Sequence, residues 1–148
     1  PQQIRSGGCT QVSGIHEALP AVDILTLHCP LNAETTGLVS TRELEAMQPS
    51  SILINTSRGG VVDEVALHTA LTQQTIAAAG IDVFVTEPTH QDDPLLALDN
   101  VILSPHCAGV TRESMSLTSR IAVQNVLSAL DGSIASKFVV NTDVLKRS

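Results

Sequence analysis

The sequence predicts an α/β protein built on a parallel, doubly wound sheet. Three observations predict it. Short aliphatic runs alternate along the chain with amphipathic stretches, the order that makes strand–helix–strand units. Hydrophobic residues make up 43% of the chain, yet it holds two Phe and no Tyr or Trp, so the core is aliphatic. Val, Ile, Leu and Ala in that proportion suit parallel strands buried on both faces. The 148 residues also suffice for one domain, which at this length buries roughly 70% of the unfolded chain's surface.

The elements follow in order. A weak strand is expected near Cys9 to Val12 and a short helix around His16 to Leu19. The first clear strand is Asp23 to Cys29, stopped by Pro30. Ser40 and Glu43 have capping-box spacing, which starts a short helix running to about Met47. Pro49-Ser50 breaks the chain, and Ser51 to Thr56 is the second strand, running into the sharp turn Ser57-Arg58-Gly59-Gly60. Asp63 is a good N-cap for the next helix, to which Val65, Ala66, Leu67, Ala70 and Leu71 give a buried face. Ile76 to Phe84 is the third strand, and a Pro- and Asp-rich loop follows. Val101 to Ser104 is the fourth, closed by Pro105. Thr111 caps a long helix to about Leu130, with Val123, Val126, Leu127 and Leu130 at helical spacing and Gly132 at C′. Residues 133–148 read as an irregular extension, against a first part over 1–132.

Composition excludes several function classes. The formal charge is -7, from 8 Lys+Arg against 15 Asp+Glu, and only Lys137 and Lys146 are lysines. Such a surface repels phosphates, so neither nucleic acid nor an anionic membrane is an expected partner. No apolar run approaches the roughly 20 residues that span a bilayer. The opening residues PQQIRSGG lack the apolar stretch of a signal peptide. Three cysteines without regular spacing make no disulfide framework, which points to a reducing cytoplasm. Cys9, Cys29 and Cys107 are expected as small buried hydrophobes, and His16, His68 and His90 as surface residues without companions. His28-Cys29 and His106-Cys107 are adjacent pairs whose side chains point to opposite faces, and no C-x-x-C occurs, so no metal site is expected.

Ionisable residues fall on one edge. The second strand ends near Arg58, the third is followed by Glu87, and the fourth ends at His106. Parallel strands bring their carboxyl ends to one side, where ligands bind. A Glu beside a His favours imidazolium, so the His can serve as acid or base near neutral pH. An Arg can hold a carboxylate through two parallel hydrogen bonds. The plain alternative is three solvated loop charges. Asp82 lies in an otherwise apolar strand, where a carboxylate needs hydrogen bonds. Neighbouring backbone N–H groups or a ligand amide are equally open as its partners. Ser57 is not a nucleophile elbow, because G-x-S-x-G is absent.

Four segments then carry a resemblance: LHCPLNAETTG, ILINTSRGGVVDE, AAGIDVFVTEP and NVILSPHCAGVT, with VVNTDVL near the end. In this order they resemble the D-isomer-specific 2-hydroxyacid dehydrogenases, from about Cys9 to Leu145. The resemblance implies a Rossmann-like fold and an NAD(P)-dependent oxidoreductase interconverting D-2-hydroxy acids and 2-keto acids. It implies that Arg58 binds the substrate carboxylate and carbonyl oxygen, that His106 is the general acid/base, and that Glu87 pairs with it. It implies cofactor contacts at Cys29, Pro30, Thr56, Ser57, Arg58, Asp82, His106, Ala108 and Gly109. NAD is the family default, with NADP open because the discriminating acid lies upstream of Pro1. Homo-oligomers, usually dimers, are implied as well.

The family's opening strand, G-x-G-x-x-G and helix are not in this sequence, nor is its separate substrate domain. The sheet is therefore expected to be incomplete, lacking the first βαβ unit. The chain reads as the C-terminal part of an NAD-binding domain, a truncated form inactive alone. The strand at Asp23 to Cys29 then becomes an open apolar edge, covered by another copy or by rearrangement. An alternative reading is a non-enzymatic, NAD-sensing scaffold of the corepressor kind from the same superfamily.

Overall fold

In the computed structural model, which describes residues 8–146, four short parallel strands lie side by side in chain order. They are β1 (Ile24–Leu27), β2 (Ile52–Asn55), β3 (Ala78–Ile81) and β4 (Val101–Leu103). The chain divides into two units, Pro1–Ala108, which holds the whole sheet, and Gly109–Ser148.

Register explains the core of the first unit. Leu25, Leu53, Ala79 and Val101 form one row across the sheet, and Leu27, Asn55, Ile81 and Leu103 form another on the same face. Two connecting helices supply the apolar surface that joins these rows in one core: α2 (Thr41–Ala46) with Leu44, and α3 (Glu64–Thr72) with Leu67 and Leu71. The other face carries Ile24, Ile52 and Ala78, then Thr26, Ile54, Gly80 and Ile102. There Ile24 is 59% and Ile102 79% exposed. Burial, expected on both faces, is only partial on this one among the described residues, since Ile52, Ile54, Ala78 and Gly80 on the inner strands are half-buried and the edge-strand Ile24 and Ile102 are exposed. Sequential strand order explains this, because right-handed crossovers that always step the same way lay their helices on one side. β1 is an edge strand.

Local signals set the boundaries. The Glu43 carboxylate accepts the Ser40 N–H at 3.0 Å, which closes the box that starts α2. Asp63 accepts the N–H groups of Val65 and Ala66, each at 3.0 Å, and starts α3. A four-residue helix, α1 (Ile15–Ala18), runs into a 3₁₀ turn at Leu19–Ala21. Residues 9–12 form no strand. Backbone bonds Gly37 N–Gly60 O (2.8 Å), Val39 N–Val61 O (3.1 Å) and Asp63 N–Val39 O (2.9 Å) stitch the approach to α2 onto the turn after β2.

Several side-chain expectations are corrected. Val65 is 78% exposed, because at 100° per residue it points about 170° from the Ala66, Leu67, Ala70, Leu71 stripe. Cys9 and Cys107 are exposed and Cys29 is half-buried, so none is a fully buried hydrophobe. His16 has a companion: its Nε2 lies 3.3 Å from Glu43.

In the second unit, α4 (Arg112–Leu130) starts at Thr111, whose hydroxyl accepts the Ser114 N–H at 3.1 Å. It ends at Asp131, and Gly132 takes φ 77°, the left-handed value that suits glycine at C′. The Val123, Val126, Leu127, Leu130 stripe is present but exposed. Residues beyond it form 3₁₀ turns at Ser136–Phe138 and Thr142–Lys146. No helix of the described residues is long and apolar enough to cross a membrane.

Candidate active site

The carboxyl ends of β2, β3 and β4 deliver the site. Asn55 closes β2 and is buried. Its side-chain oxygen accepts the Ser57 N–H (3.1 Å) and hydroxyl (2.8 Å), and its amide donates to the Arg58 carbonyl at 3.1 Å. Asn55 thus spends its polar atoms on the turn that presents Arg58. The Arg58 side chain is exposed, with Nη1 donating to the Ser57 carbonyl at 2.6 Å. Sequence reasoning passed over Asn55, although a polar residue closing an apolar strand is the signal that finds it.

Asp82 sits one residue past β3 and is 3% exposed. Its carboxylate accepts three hydrogen bonds: from the Ser104 hydroxyl (2.5 Å), the Cys107 N–H (2.8 Å) and the Ala108 N–H (2.9 Å). Burial pushes this carboxyl up. The bonds from Ser104, Ala108 and Cys107, with the charge of His106, outweigh that push and hold it below the usual aspartate range. A carboxylate offers about four acceptor positions, of which these protein donors take three.

His106 lies between these donors. Its φ is 52°, in the left-handed region that costs a non-glycine residue of order 1 kcal/mol. What over-determines this conformation is the Asp82 grip. The Asp82 carbonyl accepts the His106 N–H at 2.8 Å, while its carboxylate holds Ser104 before the histidine and Cys107 and Ala108 after it.

The imidazole Nδ1 is 2.8 Å from Glu87 Oε2, and Glu87 Oε1 accepts the Phe84 N–H at 3.0 Å. The bond from His106 comes first in holding the Glu87 carboxyl below its ordinary range. The Phe84 bond follows; burial then opposes them, and the charges of His106 and Arg58 assist in lowering it. An ionised Glu87 accepts but cannot donate, so Nδ1 carries the proton of this bond. Both partners are well exposed, 44% for His106 and 38% for Glu87. A pair this open to water adds little to folding, so its effect is on the imidazole's orientation and tautomer.

Two cavities flank these groups. One, of about 570 Å³, is lined by His28, Cys29, Pro30, Thr56, Ser57 and Arg58, which brings five of the sequence-selected cofactor residues together. The other, of about 380 Å³, has Glu87 and His106 in its wall beside the apolar Phe84, Leu96, Leu103 and Pro105. Both lie in the range of small-molecule sites. Ala108 is tied to Asp82, and Gly109 opens the second unit.

The family model for the D-isomer specific 2-hydroxyacid dehydrogenase, NAD binding domain, matches residues 1–108. The chain is 48% identical over 124 residues to a glyoxylate/hydroxypyruvate reductase B of Pectobacterium atrosepticum, an alignment covering 84% of this chain and 38% of that protein. A crystal structure described as a putative D-3-phosphoglycerate dehydrogenase from Ralstonia solanacearum superposes with a TM-score of 0.84 at 35% identity, covering 97% of this chain and 42% of that one. An NADPH-dependent glyoxylate/hydroxypyruvate reductase from Sinorhizobium meliloti, solved in complex with NADP and malonate, gives 0.75 at 39% identity, covering 82% and 38%. The chain thus spans about two fifths of the length of the relatives it matches. Its motifs, its parallel sheet and its family match agree: the chain belongs to the D-isomer specific 2-hydroxyacid dehydrogenase family, with residues 1–108 matching that family's NAD-binding domain.

Proposed function

We propose that the protein carrying this chain is an NAD(P)-dependent oxidoreductase that interconverts D-2-hydroxy acids and 2-keto acids. The observation that carries this reading is the His106 Nδ1–Glu87 pair at 2.8 Å on the carboxyl edge of the sheet, with Arg58 on the same edge. When bound, the dinucleotide supplies or takes the hydride. The cleft lined by Cys29, Pro30, Thr56, Ser57 and Arg58 has the size and mixed lining to hold part of it. To Asp82 we assign the amide of the nicotinamide, and Ala108 and Gly109 follow on the same segment.

The chain's own residues then divide the chemistry. Arg58 pairs its guanidinium with the substrate carboxylate and orients the adjacent carbonyl. With Nδ1–H committed to Glu87, the proton in play is on Nε2 of His106. In reduction that proton goes to the carbonyl oxygen as the carbonyl carbon accepts the hydride, giving the hydroxyl. In oxidation Nε2 takes the hydroxyl proton back. Glu87 stabilises the imidazolium present before reduction and after oxidation.

We assign residues 1–132 to the C-terminal part of the dinucleotide-binding domain and 133–148 to an extension of it. These 148 residues contain no G-x-G-x-x-G, so we expect them to bind dinucleotide weakly and to be inactive alone. We place the protein in the cytoplasm and expect a homo-oligomer that covers the β1 edge. The test is consumption of NADH and NADPH by the protein that carries this chain, across a panel of small 2-keto acids. Turnover of one or more supports the reading. Tight dinucleotide binding without turnover of any would replace it with a non-enzymatic, dinucleotide-sensing scaffold.

A further inference from the structure

The loop from Phe84 to Thr89 carries Glu87 and is anchored at its start by Phe84, half-buried against the core, while the residues that follow have little of their own to hold them. Among the described residues, no backbone-to-backbone hydrogen bond reaches residues 84–89. Val85, Thr86, Glu87 and Pro88 are exposed, so no buried side chain among them anchors the segment. Its first two N–H groups are nevertheless both taken, and both by glutamates. Phe84 N–H goes to Glu87 Oε1 at 3.0 Å, within the loop. Val85 N–H goes to Glu64 Oε1 at 2.7 Å, across 21 residues to the first turn of α3. Backbone also meets backbone here. A Cβ on Gly59 would fall 1.9 Å from the Phe84 carbonyl oxygen and 2.6 Å from the Val85 nitrogen. The turn that presents Arg58 therefore rests directly on the loop that presents Glu87, and only a glycine permits that approach.

We propose that Glu64 is a positioning residue for the His106–Glu87 pair: by accepting the Val85 N–H it pins the Phe84–Glu87 loop against Gly59, which sets Glu87 on His106 and fixes both relative to Arg58. This rests on the reading of Arg58, Glu87 and His106 as the reacting set. Glu64 does not itself face that set. Its link runs from carboxylate to Val85 N–H, along the loop to Glu87, and from Glu87 to Nδ1 of His106.

The competing explanation is ordinary helix chemistry, since an acid in the first turn of a helix interacts favourably with its dipole. The surroundings of Glu64 argue against that as its main effect. Burial pushes its carboxyl up, the bond from Val85 pulls it down, and the charges of Asp93 and Asp63 push it up again, for a net rise. Asp63 already caps α3 with two hydrogen bonds. A second carboxylate in a half-buried, acidic position costs free energy, and the contact it makes for that cost is to the Glu87 loop.

The test uses the 148-residue chain and does not require turnover, so it separates this proposal from the enzymatic reading. Carbon NMR follows the titration of the Glu87 carboxyl in wild type, Glu64→Gln and Glu64→Ala, with amide spectra to confirm the fold. Wild-type Glu87 titrates below the ordinary range. Glu64→Gln keeps a carbonyl for Val85 and leaves Glu87 low, although the negative charge at the helix start is gone. Glu64→Ala releases the loop and returns Glu87 toward the ordinary range. An unchanged Glu87 titration in Glu64→Ala, or an equal shift in both variants, overturns the proposal. If Glu64→Ala does not fold, wild type alone decides. The Val85 amide must exchange slowly, and its proton shift must follow a carboxyl titrating above the ordinary glutamate range; fast exchange, or no such titration, overturns the proposal. In the catalytically complete protein, Glu64→Ala is expected to lower kcat by about 10- to 100-fold with KM for the dinucleotide unchanged, and Glu64→Gln to restore most of it.

Discussion

Replacing Asp82 by Asn keeps the size and shape of the side chain and removes its charge. The carboxylate is buried and accepts bonds from Ser104 and Cys107 on one oxygen and from Ala108 on the other. In Asn one oxygen remains and the second becomes an NH₂ that points at the Ala108 N–H, so that bond is lost and the other two weaken. A hydrogen bond to an ionised acceptor contributes about 1.5–3 kcal/mol, against about 1 for a neutral pair. The loss sums to roughly 3–5 kcal/mol, and relief of the buried charge offsets part of it, leaving about 2–3 kcal/mol. At this length that lowers Tm by roughly 5–10 °C. The chain has no Trp or Tyr, so urea unfolding is followed by far-ultraviolet circular dichroism. The effect also depends on pH. A carboxyl held below its usual value stabilises fully above the unfolded aspartate pKa of about 3.9, and loses that stabilisation as pH falls through its depressed native value. Wild type and Asp82→Asn therefore differ at neutral pH and converge in acid. Equal stability within about 0.5 kcal/mol at pH 7, inside the ordinary scatter of surface substitutions, would show that the three bonds to the Asp82 carboxylate do not stabilise the fold.

Three further outcomes are expected. Gly59→Ala sets a Cβ into the Phe84 carbonyl and should cost about 2–3 kcal/mol in urea unfolding, since the clash is with backbone and not with a flexible side chain. Asp63→Ala removes the acceptor of the Val65 and Ala66 N–H groups and should cost about 1 kcal/mol in the same assay. Glu87 is held low first by its bond from His106, so His106→Ala should raise the Glu87 titration toward the ordinary range, as read by carboxyl carbon NMR.

Much of the fold was legible because it depends on local signals. Aliphatic runs closed by Pro30 and Pro105, the Ser40–Glu43 box and the Asp63 and Thr111 caps each specify a boundary within a few residues of sequence. Parallel order then brings Arg58, Glu87 and His106 to one edge without any knowledge of side-chain geometry. What stayed hidden is long-range. Val65 is the exception, since its wheel angle opposite the Ala66 to Leu71 stripe was already set by helical spacing. His16 meets Glu43 across 27 positions. The left-handed backbone of His106 follows from Asp82 gripping both sides of it, and the Glu64–Val85 bond joins a helix start to a loop 21 residues later. Cysteine burial was misjudged because a thiol's apolar character does not decide whether its loop faces water. Cys9 and Cys107 sit on segments outside the sheet.

We assign to His106, held by Glu87, the proton transfer in a reaction between a dinucleotide and a 2-keto acid. The most direct test compares wild type and His106→Ala in the protein that carries this chain, with 2-keto acid reduction and dinucleotide affinity measured side by side. Removing the general acid should lower kcat by about 10²- to 10⁴-fold, while dinucleotide affinity stays within a few-fold of wild type. Retained turnover in His106→Ala would contradict the account, whatever the affinity does.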